Sequence, residues 1–246
     1  MRSQRTGRVP GDVLDLSRWY LTLPIAEPSR DPDRPWNVYQ PELQGFSCPD
    51  LFRVADGAVE YVAPAKGVTT SAESGATRCE LREMTGPGRN DKASWGFADG
   101  AVHSLTCTLT CDPRSVVGRK ECIVGQIHDA TPVPPIYLLI KMETDRGTLR
   151  LFKNGPGVGN LLTDVGPTDL VSYRIRVAER RCMIWAARGD VSALPAQPAF
   201  EFPADDFASG SSGCYFKAGA YNKQPISTAT TGRSVVQHHR LDLVCA

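Results

Sequence analysis

The sequence predicts an all-β fold, a sandwich or barrel, on three observations. Short runs alternate apolar and polar residues with a period of two. Glycine (22 residues) and proline (19 residues) punctuate those runs often enough to keep each one short. Helical periodicity is scarce. At 246 residues the chain suits one large domain, and no repeat, low-complexity tract or linker divides it. A hydrophobic fraction of 41% supplies a substantial core, and a charged fraction of 22% argues against wholesale disorder.

In chain order, residues 1–12 read as a flexible tail and 13–246 as the single domain. Met1 to Pro10 is polar and basic with no hydrophobic stretch behind it, so it is not an intact signal peptide. That leaves a cytoplasmic protein or one that has lost a leader. Glu27 to Pro35, rich in proline and charge, reads as a surface loop. Phe52 to Ala63 reads as a hairpin turning at Asp56-Gly57, a dipeptide suited to the positive φ angles of a tight turn. Along Ala101 to Cys111, His103 shares the apolar face of the strand with Leu105, Cys107 and Leu109, and is expected in the core. Gly147 to Phe152 is a short strand before a glycine-rich loop, Asn154 to Asn160. That loop leads into no helix and so is no phosphate cradle. Ser172 to Val177 alternates as a strand, and Pro203 to Ala208 reads as a short helical turn. His238 and His239 read as a solvated strand end. Of the tryptophans, Trp36 is the one placed for substrate contact.

Several function classes are disfavoured. A formal net charge of +1 gives no general attraction for nucleic acid. No apolar run is long enough to span a bilayer. The eight cysteines allow about 105 pairings. Cys107 and Cys111, four apart on one strand, sit about 13 Å from each other and cannot bridge. Buried thiols mixed with a few disulfides are expected, and no Cys/His spacing suggests a metal site.

Three segments break the rule that a sandwich strand carries ordinary side chains. In Thr77 to Glu83, Arg78, Glu80 and Arg82 share one face, and Cys79 and Leu81 the other. In Ile123 to His128, Gln126 and His128 share a face. In Tyr215 to Tyr221, Tyr215, Lys217 and Tyr221 do so, opposite Phe216, Ala218 and Ala220. Any one of these is an ordinary solvated face. Exposed strand faces favour Thr, Lys and Glu, however, and rarely gather Gln, His and two Tyr.

The same segments carry a family resemblance. RCELR (Arg78 to Arg82), QIH (Gln126 to His128) and YFKAGAYNKQ (Tyr215 to Gln224), preceded by DLSRWYLTLP (Asp15 to Pro24), resemble the motifs of alginate lyases of polysaccharide lyase family 7, in the family's order. The resemblance implies a β-jelly-roll sandwich of two antiparallel sheets with a polar substrate cleft on the concave sheet. It also implies β-elimination at a 1,4-linked uronate, with no metal and no organic cofactor. The implied partner is an anionic polysaccharide, acted on by a secreted monomer. Arg78 and Gln126 would stabilise charge developing on the substrate carboxylate. His128 has a reference pKa near 6.5, suited to a neutral base, and Tyr221 holds a proton to give the leaving oxygen. Glu80 is expected pinned between Arg78 and Arg82. Glu80, Arg82, Tyr215, Lys217, Asn222 and Gln224 complete the expected substrate-binding set. Gln224 lies three residues after Tyr221 where the family pattern has two, which makes Asn222 or Lys223 its alternative. The QIH form is associated with guluronate-containing blocks.

Two other classes compete. A sandwich glycoside hydrolase needs paired carboxylates, and the E-x-D-x-x-E run is missing, since Glu143-Thr144-Asp145 lacks the third acid. A non-catalytic binding module would use the same basic platform without needing His and Tyr in fixed register. Among lyases, glucuronan is the alternative substrate.

Overall fold

The computed structural model describes residues 8–28, 31–70, 74–208 and 213–246. Fifteen strands run through them. The first seven are β1 (Trp19–Ala26), β2 (Pro35–Val38), β3 (Phe52–Ala55), β4 (Ala58–Pro64), β5 (Arg78–Glu83), β6 (His103–Asp112) and β7 (Glu121–His128). The rest are β8 (Ile136–Met142), β9 (Gly147–Lys153), β10 (Gly157–Val165), β11 (Val171–Ala178), β12 (Arg181–Arg188), β13 (Phe200–Pro203), β14 (Tyr215–Asn222) and β15 (Arg233–Cys245). They form two antiparallel sheets packed as a sandwich, the jelly-roll arrangement. One has eight strands in the order β10-β9-β8-β7-β14-β5-β1-β2, and the other seven in the order β13-β12-β11-β6-β15-β4-β3.

Strand alternation fills the space between the sheets. Leu81 and Cys79 of β5, Ile127 of β7 and Phe216, Ala218 and Ala220 of β14 are all fully buried there. From the opposite sheet come Leu105, Cys107 and Leu109 of β6, and Tyr173 and Ile175 of β11. Asp56 and Gly57 adopt positive φ angles of 51° and 80° and close the β3–β4 hairpin where the dipeptide predicts it. Ala204–Asp206 forms the short turn expected near Pro203. His103 is buried, stacked on Trp95 and bonded to Asp99 at 2.9 Å, as expected of a core histidine.

A latch between the sheets aligns β7. The Tyr173 hydroxyl donates to the Val124 carbonyl at 2.9 Å. A Cβ on Gly125 would lie 2.1 Å from that hydroxyl oxygen, so the glycine makes room for the latch. Glu83 makes a second brace. Its carboxylate accepts from Trp95 Nε1 and from the backbone N–H of Phe216, each at 2.8 Å, tying β5 to the start of β14.

Four expectations change. Of the expected tail, residues 1–7 lie outside the described residues, but Pro10–Asp12 forms a 3-10 turn with Pro10 buried. The glycine-rich stretch 154–160 is a loop only at its start. From Gly157 it becomes edge strand β10, paired to β9 through several register shifts. All eight cysteines are free thiols, and six are buried in the apolar interior. Their burial replaces the disulfides that the even count allowed.

The fourth change is His238, which is fully buried with its ring 4.9 Å from that of Tyr61. Neither ring nitrogen has a hydrogen-bond partner among the described residues. Burial pushes its pKa down to about 3. The unfolded chain binds this proton near pH 6.5, above the folded value. Stability from His238 is therefore complete above about pH 6.5 and drains away as pH falls toward about 3, by about 1.4 kcal/mol per pH unit. His128, also depressed, adds in the same direction. His238→Leu is expected to shrink the loss of melting temperature between pH 7 and pH 5. An unchanged pH dependence in that variant would remove His238 as its source.

Candidate active site

The chemistry-bearing strands β5, β14 and β7 are immediate neighbours in the centre of the eight-stranded sheet. Register then sets the side chains in rows. Tyr221 pairs with Arg78 on one side and Ile123 on the other. Lys217 pairs with Arg82 and Gln126, and Tyr215 with His128. Their outer faces line a cleft of about 660 Å³ that holds Arg78, Arg82, Gln126, His128, Tyr215, Lys217 and Tyr221 together.

Beneath this floor lies Glu80, 2% exposed. It accepts from Gln126 Nε2 at 2.5 Å and is ion-paired to Lys217 and to Arg78, the latter at 3.5 Å. Burial alone would raise its carboxyl, but Lys217 and Arg78 outweigh burial and hold it below the usual range. Burial in turn pushes the Lys217 ammonium down to about 8, helped by Arg78 and Arg82 and opposed by Glu80. Glu80 was expected between Arg78 and Arg82, in contact with substrate. Instead its second partner is Lys217 from the neighbouring strand, and it is absent from the cleft lining. Arg82, two residues along β5, turns away to lie 3.6 Å over the Tyr215 ring.

Arg78 is fixed on three sides. Its Nη2 donates to Ser74 Oγ at 2.5 Å, its Nη1 faces Glu80, and its guanidinium lies 3.9 Å over the Tyr221 ring. Gln126 gives one amide hydrogen to Glu80 and keeps the other. The His128 Nδ1–H donates to the Asp129 carbonyl at 2.7 Å, because a carbonyl can only accept. That tautomer leaves the lone pair on Nε2. Burial lowers the His128 pKa, the Lys217 ammonium adds to the effect, and the ring is neutral at pH 7. Its ring lies nearly parallel to that of Tyr215, 5.5 Å away. The Tyr215 hydroxyl is pushed up to about 12, chiefly by burial.

Two further candidates leave the cleft. Asn222 is fully buried, facing the Ala63 carbonyl and accepting from the Gln224 N–H at 2.9 Å. Gln224 accepts from the Arg119 N–H at 2.6 Å and donates to Thr228, bracing a loop. The extra residue in the motif brings Lys223 to the cleft in their place, its Nζ 5.1 Å from the Tyr221 ring. Trp36 also misses the cleft and packs edge-on against Phe46, 5.1 Å away, while its neighbours Pro35 and Asn37 line the wall.

Sequence reasoning missed Tyr20, Thr22, Tyr39, Lys92 and Tyr137 of the lining. Tyr20 and Thr22 alternate with the buried Trp19, Leu21 and Leu23, and Tyr137 with Ile136 and Leu138, so strand parity carried a signal for these three. Tyr39 and Lys92 lie outside the strands and carried none. Among the described residues, no cluster of His, Cys, Asp or Glu is placed to hold a metal ion.

The sequence model of the alginate lyase family (Alginate_lyase2) matches residues 14–243. The fold is similar to that of the alginate lyase AlgAT5 from polysaccharide lyase family 7. The two are 28% identical with a TM-score of 0.78, covering 98% of this chain and 100% of that one. It is also similar to a variant of the family 7 alginate lyase A1-II′ solved in complex with a substrate, GGMG. There the identity is 22% and the TM-score 0.74, over 98% of this chain and 97% of that one. An alginate lyase of Klebsiella pneumoniae is 30% identical over 142 residues, 48% of this chain and 46% of that protein. The matched part thus spans about half the length of that curated relative. With its fold and nearly its whole length matched, the chain belongs to the alginate lyase family, as a polysaccharide lyase of family 7.

Proposed function

We propose that this chain cleaves alginate by β-elimination, with guluronate-containing blocks preferred. The observation that carries the reading is the convergence of four groups on one cleft floor. They are a neutral His128 with Nε2 free, the Tyr221 hydroxyl, the Arg78 guanidinium and the remaining Gln126 N–H. A uronate C5 proton is weakly acidic until charge on its carboxylate is stabilised. Arg78 and Gln126 offer donors held in place before substrate arrives. His128 Nε2 takes the C5 proton, and the C–H electron pair becomes the C4–C5 double bond. The C4–O bond breaks, and Tyr221 protonates the departing oxygen. The two protons then re-equilibrate through solvent. Guluronate suits a base and an acid that reach the sugar from opposite faces, since its C5 proton and leaving oxygen lie on opposite sides. A polymeric substrate supports action outside the cell.

Incubation with polyguluronate, polymannuronate and glucuronan, followed by ultraviolet absorbance of the new double bond, tests the reading. Absorbance is expected to grow fastest with polyguluronate. Binding without absorbance would make the chain a binding module, and reducing ends without absorbance would mean hydrolysis. Since the base acts when neutral, kcat/KM is expected to rise with pH through a value below 6.5 and then level, because the His128 pKa is depressed. A rise that begins well above that value would sink the base role of His128.

A further inference from the structure

The registered rows of the cleft continue past its reactive groups. Paired positions run straight across the sheet from Arg78 to Tyr221, Ile123, Leu139 and Arg150. A second row runs from Lys217 to Gln126, Tyr137 and Phe152. Leu149 and Leu151 are fully buried between the sheets, so Arg150 and Phe152 project on the cleft side of β9.

The two halves of this surface differ in chemistry. β5 and β14 supply Arg78, Arg82 and Lys217. β8 and β9 supply a largely apolar floor: Leu139, and the Tyr137 and Phe152 rings stacked at 4.5 Å with their planes 6° apart. Two cations break it: Lys141, which is ion-paired to Glu143 at 3.2 Å, and the Arg150 guanidinium. Arg150 lies 5.2 Å from the Phe152 ring centroid and has no carboxylate partner among the described residues. Room for it comes from the edge strand. A Cβ on Gly157 would stand 3.3 Å from Arg150 Nη2 and 3.4 Å from the Phe152 ring. Of the arginines that line the cleft, Arg78 is occupied by Glu80 and Ser74, and Arg82 lies over the Tyr215 ring.

We propose that Arg150, seated over Phe152, is a remote subsite that takes the carboxylate of a uronate several residues from the scissile bond. Four strand spacings separate β5 from β9, which puts Arg150 about 19 Å from Arg78. An extended polyuronate carries one carboxylate per sugar and reaches that distance. Its C–H faces rest on Leu139 and the stacked rings, and the planar guanidinium offers two parallel donors to one carboxylate. This inference rests on the polyuronate reading of the cleft.

The test is Arg150→Gln, with Arg150→Lys beside it, assayed on size-fractionated oligouronates and on polymer at low ionic strength. Arg150 is half-exposed and outside the interior, so both variants fold. For long substrates KM is expected to rise about fivefold in the glutamine variant, the upper end for an exposed ion pair, with kcat unchanged. Arg150→Lys recovers part of the loss, and the shortest oligomers cleaved show no change. Equal KM in parent and variant at every length would overturn the subsite. So would a kcat loss shared by all lengths. Calorimetric binding of the polymer to parent and variant reads the same difference without turnover. A parent that binds but forms no double bond therefore refutes the elimination reading alone.

Discussion

Tyr221→Phe is expected to lower kcat by about 10²- to 10⁴-fold, the usual worth of a positioned proton donor, while leaving the melting temperature unchanged. The substitution removes one oxygen and keeps the ring. The ring matters separately, because the Arg78 guanidinium rests on it at 3.9 Å. Phenylalanine retains that support, so Arg78 stays aimed at the substrate carboxylate and KM holds. Tyr221→Ala would unseat Arg78 as well and raise KM, which separates the two roles. Initial rates from double-bond absorbance, with circular dichroism to confirm the fold, give the answer. Turnover within a few-fold of the parent in Tyr221→Phe would remove the acid role.

Glu80→Gln is expected to cost about 3–5 kcal/mol of stability, the cost of leaving a buried charge unpaired. For a chain of this length that is roughly 6–20 °C in melting temperature. The carboxylate is 2% exposed and holds Lys217, Arg78 and Gln126 at once. Without it, two cations face each other in a poorly solvated floor. Lys217 relieves part of this by losing its proton, since burial already brings its pKa to about 8. Activity falls too, although Glu80 lines no part of the cleft, because Gln126 and Arg78 lose the group that aims them. Pairing the change with Lys217→Met is expected to recover part of the stability and none of the activity. A melting temperature for Glu80→Gln equal to that of the parent would show that this carboxylate is not the hub.

The strand parity of β5 and β14, and of β7 from Gly125 onward, was legible in the sequence because every second residue there is apolar or small, and one register error would bury an arginine. The register shift between Ile123 and Gly125, which turns Ile123 to the cleft, was not. The Asp56-Gly57 turn was legible because few dipeptides tolerate two positive φ angles. His238 was not legible. A register shift between His238 and Arg240 in the β15–β6 pairing breaks the alternation, so a residue two before the exposed Arg240 points inward. Glu80's partner was not legible either. Local spacing offers Arg82, and only the β5–β14 register brings in Lys217. The fate of Gln224 depended on one inserted residue, whose effect on direction is set by loop contacts to Arg119 and Thr228 far away in the chain.

The order of the eight-stranded sheet has a consequence for how the molecule comes apart. β14, with β5 and β7 on its flanks, is hydrogen-bonded on both edges, and β7 is latched from behind through Tyr173, whereas β2 and β10 are free on one edge. Local opening starts at such free edges and reaches central strands only with global unfolding. Arg78, Gln126, His128 and Tyr221 thus belong to the last cooperative unit to melt. Fraying shortens the cleft at its far ends, near Tyr39 and Gly155, and leaves the four groups proposed for the chemistry in place. On the proposed function, a partly opened molecule would grip its polymer less well before it lost the chemistry.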